Sequence, residues 1–291
     1  SSVIGILFAQ AARLKKARVV YLFSLAEGES EVIDLQGFAG KFRKAFLNCI
    51  DDLVVNSPLL YNSLKPLFHH RVKMIVNGAK DHIFIPDNQM RDKIRRENNI
   101  ADNMVVFSSL GSITKRKGMD LLLEAYAEVR QVLPASVLWL IGPYQKDKNQ
   151  NLDPGEVDQL IALAQNSPGV TLWGRIDDRA ELAGLLCASD VFVFPTRREG
   201  MPMAPLQAMS VGLPIIISRI PGVTDLANIE GETGLYIEPD DKIALTRNMI
   251  ALGMDERYRE QMGKAARKRI VDEFSWQKHI DQWEALYCGK L

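Results

Sequence analysis

Asp190-Val-Phe-Val-Phe-Pro-Thr-Arg-Arg-Glu-Gly-Met-Pro-Met-Ala-Pro-Leu-Gln-Ala-Met-Ser-Val-Gly-Leu-Pro-Ile-Ile-Ile-Ser-Arg-Ile-Pro-Gly-Val-Thr-Asp-Leu226 decides how the rest of the chain is read. Val191 to Phe194 is a short run of β-branched and aromatic residues, as expected of a buried parallel strand. Pro195 ends it, and a polar loop follows with Arg197, Arg198, Glu199 and Gly200. Pro202 and Pro205 stand where a helix begins, because proline is tolerated in a first turn. Leu206 to Val211 continues that helix, Gly212 stops it, and Pro214 to Ile217 reads as the next strand. This order brings Glu199, the amides after Gly200 and the positive end of a helix to the carboxyl ends of parallel strands. Open α/β sheets bind ligands there.

Outward from this stretch the alternation continues. Strands are expected at Val105–Ser108, Val137–Ile141, Val170–Trp173 and Leu235–Ile237, with helices at Lys117–Leu133, Pro154–Asn166 and Arg179–Ala188 between them. Such β/α regularity predicts an α/β fold, a parallel doubly wound sheet with right-handed crossovers. Three helices close the chain, near Lys242–Met254, Glu256–Asp272 and Ser275–Tyr287. Upstream, Val3–Ala12 reads as a buried helix and Val19–Phe23 as a strand. A Gly-, Glu- and Ser-rich loop at Glu27–Ser30 then leads to a helix near Lys41–Cys49. Leu53–Val55 and Val72–Val76 read as further strands around a helix at Pro58–Leu67, and Asn77-Gly78 marks a turn.

Composition bounds the function. Lys plus Arg equals Asp plus Glu at 36 each among 291 residues, so no global field favours nucleic acid or an acidic membrane. The three cysteines, Cys49, Cys187 and Cys288, are too far apart for a zinc or disulfide framework and suggest reduced thiols. No apolar run reaches transmembrane length. The expectation is a cytoplasmic protein, with peripheral membrane contact left open.

The opening stretch resembles the donor-site signature of the retaining GT-B glycosyltransferases of family 4. That signature runs Pro-Ser/Thr-x-x-Glu-Gly-x-Pro, four residues, then Glu-Ala-Met-Ala-x-Gly-x-Pro. Here it reads Pro195-Thr196, Glu199-Gly200, Pro202, Gln207-Ala208-Met209, Gly212 and Pro214, with glutamine in place of the second acid. The segment Asn77-Gly78-Ala79-Lys80-Asp81-His82-Ile83-Phe84-Ile85-Pro86 resembles the family's interdomain linker.

The resemblance implies two Rossmann-like domains: a partial N-terminal, acceptor-side domain over 1–76 and a nucleotide-sugar domain over 77–273. A last helix over 274–291 would cross back, with Phe274, Trp276, Ile280, Trp283 and Tyr287 as an apolar stripe for that contact or for packing on its own domain. The first domain is short for the family, so the chain is expected to be part of a longer protein. Its open strand edge at Val19–Phe23 invites a homo-oligomeric or membrane contact.

The resemblance also assigns roles. Lys117 would bind the pyrophosphate and Glu199 the hydroxyls of the donor sugar, and these two are the catalytic candidates. Gly111, Ser112, Arg175, Gly200, Met201, Pro202, Met203 and Gln207 complete the donor-binding set. Other readings of the residues stay open. Lys115, Arg116 and Lys117 also read as a solvated charge run, Glu199 as a surface partner of Arg197 or Arg198, and Gln207 as an exposed helical residue. Met201 and Met203 also read as core filler, and Trp173, beside Gly174 and Arg175, as a core residue instead of a wall for a nucleotide base.

Two positions depart from the family. Ser112 stands where an arginine is usual, and a charge-assisted phosphate contact is worth about 1.5–3 kcal/mol. Arg116 is placed to compensate. Gln207 keeps an acceptor for the ribose hydroxyls but brings no charge. The family's N-domain histidine has no counterpart, and neither a metal nor a cofactor is implied. The implied reaction is retaining transfer of a hexose or N-acetylhexosamine from a UDP- or GDP-sugar to a saccharide, lipid-linked or protein hydroxyl. The alternatives are a catalytically inactive nucleotide-sugar-binding or scaffolding subunit and, less supported by the residues, a sugar-nucleotide epimerase.

Overall fold

The computed structural model describes residues 17–23, 47–144 and 154–291. The helix read at Val3–Ala12, the loop Glu27–Ser30 and most of the helix near Lys41–Cys49 lie outside the described residues.

The chain is a mixed α/β protein with two parallel sheets. The first has three strands among the described residues, β1 (Val20–Phe23), β2 (Asp52–Val55) and β3 (Val72–Met74), in that spatial order. All four residues of the central strand β2 are buried. Helix α1 (Pro58–Phe68) begins at Ser57, whose hydroxyl accepts from the Leu60 amide, and it buries Leu60, Leu64 and Phe68 at four-residue spacing. Those side chains meet Leu53, Val55 and Val72 of the sheet.

The second sheet holds β4 (Val105–Leu110), β5 (Ser136–Ile141), β6 (Val170–Gly174), β7 (Val191–Phe194), β8 (Ile215–Ser218) and β9 (Gly234–Ile237). Their order is β6-β5-β4-β7-β8-β9, all parallel. The chain winds outward from β4 in one direction and from β7 in the other, so the order reverses between these two strands. Alternation along β7 explains its two-sided burial. Val191 and Val193 face α3 (Met119–Val132) and α7 (Lys242–Met254), whereas Phe192 and Phe194 face α6 (Met203–Ser210) and α8 (Glu256–Glu273). Helices α4 (Pro154–Asn166) and α5 (Arg179–Ala188) complete the two outer layers.

Beyond shifts of a residue or two at strand ends, such as β3 stopping at Met74 and β4 reaching Leu110, three differences from the sequence reading have a physical reason. The strand expected from Pro214 begins at Ile215, because Pro214 has no N–H and contributes its carbonyl to the Phe192 amide. The helix expected from Lys117 is split into a 3₁₀ turn, Lys115–Lys117, and α3, because Gly118 between them is left-handed at φ 71°. Helix α2 (Asn88–Glu97) was not anticipated. Its sequence is almost entirely polar, and it is capped by Asp87 and fastened through Arg91 and Arg95 to Asp190.

The last helix, α9 (Trp276–Tyr287), lies against the first sheet. Leu286 packs with Val54 and Ile75, partly covered by Trp283, while Arg18 donates to the Leu286 carbonyl. Of the expected stripe, Phe274 is buried with the second sheet and Tyr287 is exposed. Among the described residues no helix is long and apolar enough to cross a membrane.

Candidate active site

Strands β4 and β7 both end at the point where the strand order reverses, and the loops that leave them form the site. The β4 loop passes Gly111 and Ser112 and closes in the turn Lys115–Lys117, whose start is capped by Thr114. The β7 loop carries Thr196 to Pro202 into α6. The two loops touch at Gly118. A β-carbon there would stand 1.9 Å from the Pro195 carbonyl oxygen, so only glycine permits this approach, and its positive φ agrees.

That contact brings Lys117 to Glu199. Lys117 Nζ donates to Glu199 Oε1 at 2.5 Å, and the two side chains are only 14% and 9% exposed. Arg116 Nη1 reaches the same oxygen at 3.4 Å and Thr196 Oγ1 lies 3.0 Å from it. Three donors thus converge on Oε1. The Lys117 ammonium also sits 5.0 Å from the centre of the Phe194 ring, and its aliphatic stem runs over Gly111. Burial pushes the Lys117 ammonium below the usual lysine value, and the charge and hydrogen bond of Glu199 oppose that shift.

Helix α6 starts four residues after Glu199. Pro202 stands at its N-cap, and no side chain caps it. The amides of Met203 and Ala204 in its first turn therefore have no acceptor within the helix, and the positive end of the helix adds to the local field. Met201, just before, is buried in the core below, and its carbonyl accepts from Asn77 Nδ2 at 2.9 Å. The segment between the sheets thus pins the turn that aims α6.

The structure does not gather every expected residue into this pair. Gln207 is half-buried in the second turn of α6. Ser112 is half-buried in the β4 loop. Arg175 lies beyond β6, 59% exposed, with Nε on Asp177 at 2.7 Å. Trp173 packs edge to face on Trp139, ring centres 5.3 Å apart, within an apolar cluster. Among the described residues no group of three or more His, Cys, Asp or Glu is arranged to hold a metal ion.

Sequence reasoning missed Thr196 as a Glu199 partner, Asn77 as the prop of the α6 turn, and the true partners of Arg197. Arg197 leaves Glu199 alone and pairs with Asp120 and Asp240. A signal for Asn77 existed in Asn77-Gly78, which the sequence marks as a turn within the linker segment without giving the Asn77 side chain a partner.

The arrangement is a buried cation, a carboxylate and uncapped helical amides on loops at the point where the strand order reverses, suited to an anion flanked by hydroxyl groups. Residues 90–269 match the family profile described as "Glycosyl transferases group 1". A capsular polysaccharide biosynthesis glycosyltransferase, CapM of Staphylococcus aureus, is 30% identical over 212 residues, covering 72% of this chain and 52% of its own length. An Escherichia coli UDP-Gal:alpha-D-GlcNAc-diphosphoundecaprenol alpha-1,3-galactosyltransferase is 29% identical over 76% of this chain and 55% of itself. The chain spans about half the length of the curated relatives it matches.

Among solved structures, a sucrose-phosphate synthase from Thermosynechococcus elongatus superposes with a TM-score of 0.79 at 24% identity, over 98% of this chain and 71% of that one. HepE of Anabaena, solved with UDP, gives 0.81 at 17% identity, over 98% and 76%. At these identities the likeness shows the fold, that of the GT-B glycosyltransferases.

Proposed function

The chain belongs to the group 1 glycosyl transferases, and from that premise we propose that it carries the donor half of a retaining hexosyltransferase. The reaction moves a hexose or N-acetylhexosamine from a UDP- or GDP-sugar to a hydroxyl acceptor. One observation carries this reading: the Lys117–Glu199 pair, 2.5 Å apart, at the switch between β4 and β7, with Glu199 four residues ahead of the uncapped start of α6. The names of relatives support both donor classes, a UDP-galactose enzyme and a GDP-mannose-dependent mannosyltransferase.

In this mechanism the departing nucleoside diphosphate gains negative charge as its bond to the anomeric carbon breaks. Lys117 and the amides of Met203 and Ala204 meet that charge without reorganising, which lowers the barrier. Glu199 Oε2, which none of the three donors at Oε1 touches, takes hydroxyls of the sugar. The departing phosphate itself accepts the proton of the incoming hydroxyl on the same face, so no side-chain base is required. Gln207 accepts from the ribose through its amide oxygen.

A second reading is a nucleotide-sugar-binding subunit without transfer activity, and the neutral Ser112 and Gln207 favour it. Lys117→Ala tests the site under either reading. Nucleoside diphosphate binding by calorimetry should weaken by on the order of tenfold or more, with uridine and guanosine nearly unaffected. Equal weakening of both would mean the diphosphate lies elsewhere. A donor-hydrolysis assay then separates the enzyme, which binds and hydrolyses, from the subunit, which only binds.

A further inference from the structure

We infer that Arg197 is a positioning residue that sets where the Lys117 ammonium stands, by locking together the loops that follow β4, β7 and β9. The inference rests on the reading of Lys117 as the diphosphate cation.

Arg197 comes from the β7 loop, two residues before Glu199, yet all its bonds lead away from that carboxylate. Nη1 and Nη2 grip Asp120 at the start of α3 as a two-pronged pair, at 2.7 Å and 3.0 Å. Nε donates to Asp240 Oδ1 beyond β9 at 2.6 Å. Nη1 also donates to the carbonyl of Lys115, and the Arg197 amide donates to the carbonyl of Arg116 at 2.9 Å. These two carbonyls belong to the single turn that ends in Lys117. The guanidinium therefore holds the turn through the Lys115 carbonyl and through Asp120, three residues past Lys117, while the Arg197 backbone amide holds the Arg116 carbonyl.

A mere surface ion pair contributes little, and many contribute nothing measurable. This arrangement differs in two respects. The guanidinium is 29% exposed and uses donors on all three nitrogens, so its plane is fixed. Asp240 is a non-glycine residue at φ 67°, a conformation that costs energy and persists where its surroundings impose it. Two carboxylates on one guanidinium also hold its proton more firmly than usual. Lysine at 197 would supply a point charge with no fork, and could not hold two carboxylates and a carbonyl in one plane.

Calorimetry with UDP and GDP on a double-mutant cycle tests this. Arg197→Gln in the parent chain should weaken nucleoside diphosphate by about tenfold and leave nucleoside unchanged. In a Lys117→Ala background the same substitution should have almost no further effect, because Arg197 acts only through the lysine. Arg197→Lys should recover little of the loss. Additive effects in the two backgrounds, or a lowered melting temperature with unchanged affinity, would overturn the inference and leave Arg197 a structural tie. If Lys117→Ala itself changes nothing, the reading of the site has failed instead, and the two failures are distinct. Should Arg197→Gln not fold, Asp240→Asn is the substitute. It changes a 60% exposed side chain and removes only the charge facing Nε, leaving an amide oxygen to accept from it, so a smaller loss in the same direction is expected. Unchanged affinity there, with Lys117→Ala still weakening binding, would also count against the lock.

Discussion

Lys117 is pulled in opposite directions by its surroundings. Burial lowers its affinity for a proton, while Glu199 raises it through charge and a hydrogen bond. Glu199→Gln removes the opposing influence, so the lysine should lose its proton at lower pH than in the parent. Affinity for nucleoside diphosphate falls as Lys117 is neutralised, and the alkaline limb of the binding profile should move towards neutral pH in the variant. Calorimetric titrations of UDP across the alkaline range would show it, and an unmoved limb would mean that Glu199 does not sustain the charge. The sign for stability follows the same logic. A lysine depressed in the folded state holds its charge at a cost below its folded value. Stability therefore rises with pH between that value and 10.5, where unfolded lysine titrates. The residues of this pair were readable because each sits in a local pattern, Lys before Gly and Glu before Gly. Arg197 was not readable in its role, since its partners lie 77 and 43 positions away and no periodicity connects them.

At the scale of elements, the apolar strands and their helices were legible because their patterns are strong. Val191–Phe194 is apolar at every position, and α4, α5 and α7 occupy the residues expected of them. Helix α2 was illegible for a physical reason. Asn-Gln-Met-Arg-Asp-Lys-Ile-Arg-Arg-Glu offers no apolar stripe, and Ile94 is its only buried apolar residue. What replaces a stripe is charge. Asp190 accepts from Arg91 at 2.6 Å, from Arg95 at 3.1 Å and from the Val106 amide at 2.7 Å, and the Arg95 side chain is 4% exposed. One carboxylate thus joins α2 to the amino ends of β4 and β7. Breaking one side of such a buried pair strands the other charge, at a cost of about 3–5 kcal/mol. Asp190→Asn should therefore lower unfolding stability by about 3 kcal/mol in urea, with little effect on nucleotide affinity in the folded fraction. A loss below about 1 kcal/mol would place α2's stability in its cap and its few apolar contacts.

At the scale of the molecule, the two sheets differ in how they are sheltered. Strand β7 lies between β4 and β8, helices cover both its faces, and each of its residues is fully buried. Strand β1 has one neighbour, β2, among the described residues, and Tyr21 and Leu22 are 39% and 46% exposed. Further ties among the described residues flank the strand. Arg18 pairs with Asp52 at 2.6 Å and bonds α9 through the Leu286 carbonyl, and Val19 donates to Asp51. An edge position for this strand was expected from the sequence, and among the described residues β1 has only β2 beside it; its tie to α9 was not expected, because Arg18 and Leu286 are 268 positions apart. Exchange of an amide with solvent requires its hydrogen bond to open, and the opening cost falls where few buried contacts must break. Among the described residues, opening β1 breaks one ladder and the ties of Arg18 and Val19, whereas opening β7 dismantles the centre of a six-stranded core. Hydrogen exchange followed by mass spectrometry should therefore show Val20–Phe23 exchanging orders of magnitude faster than Val191–Phe194. Added UDP should slow the loops after β4 and β7 while leaving β1 as it was. Protection of β1 equal to that of β7 would mean that this edge is covered, and the covering contact would then be sought by measuring the oligomeric state.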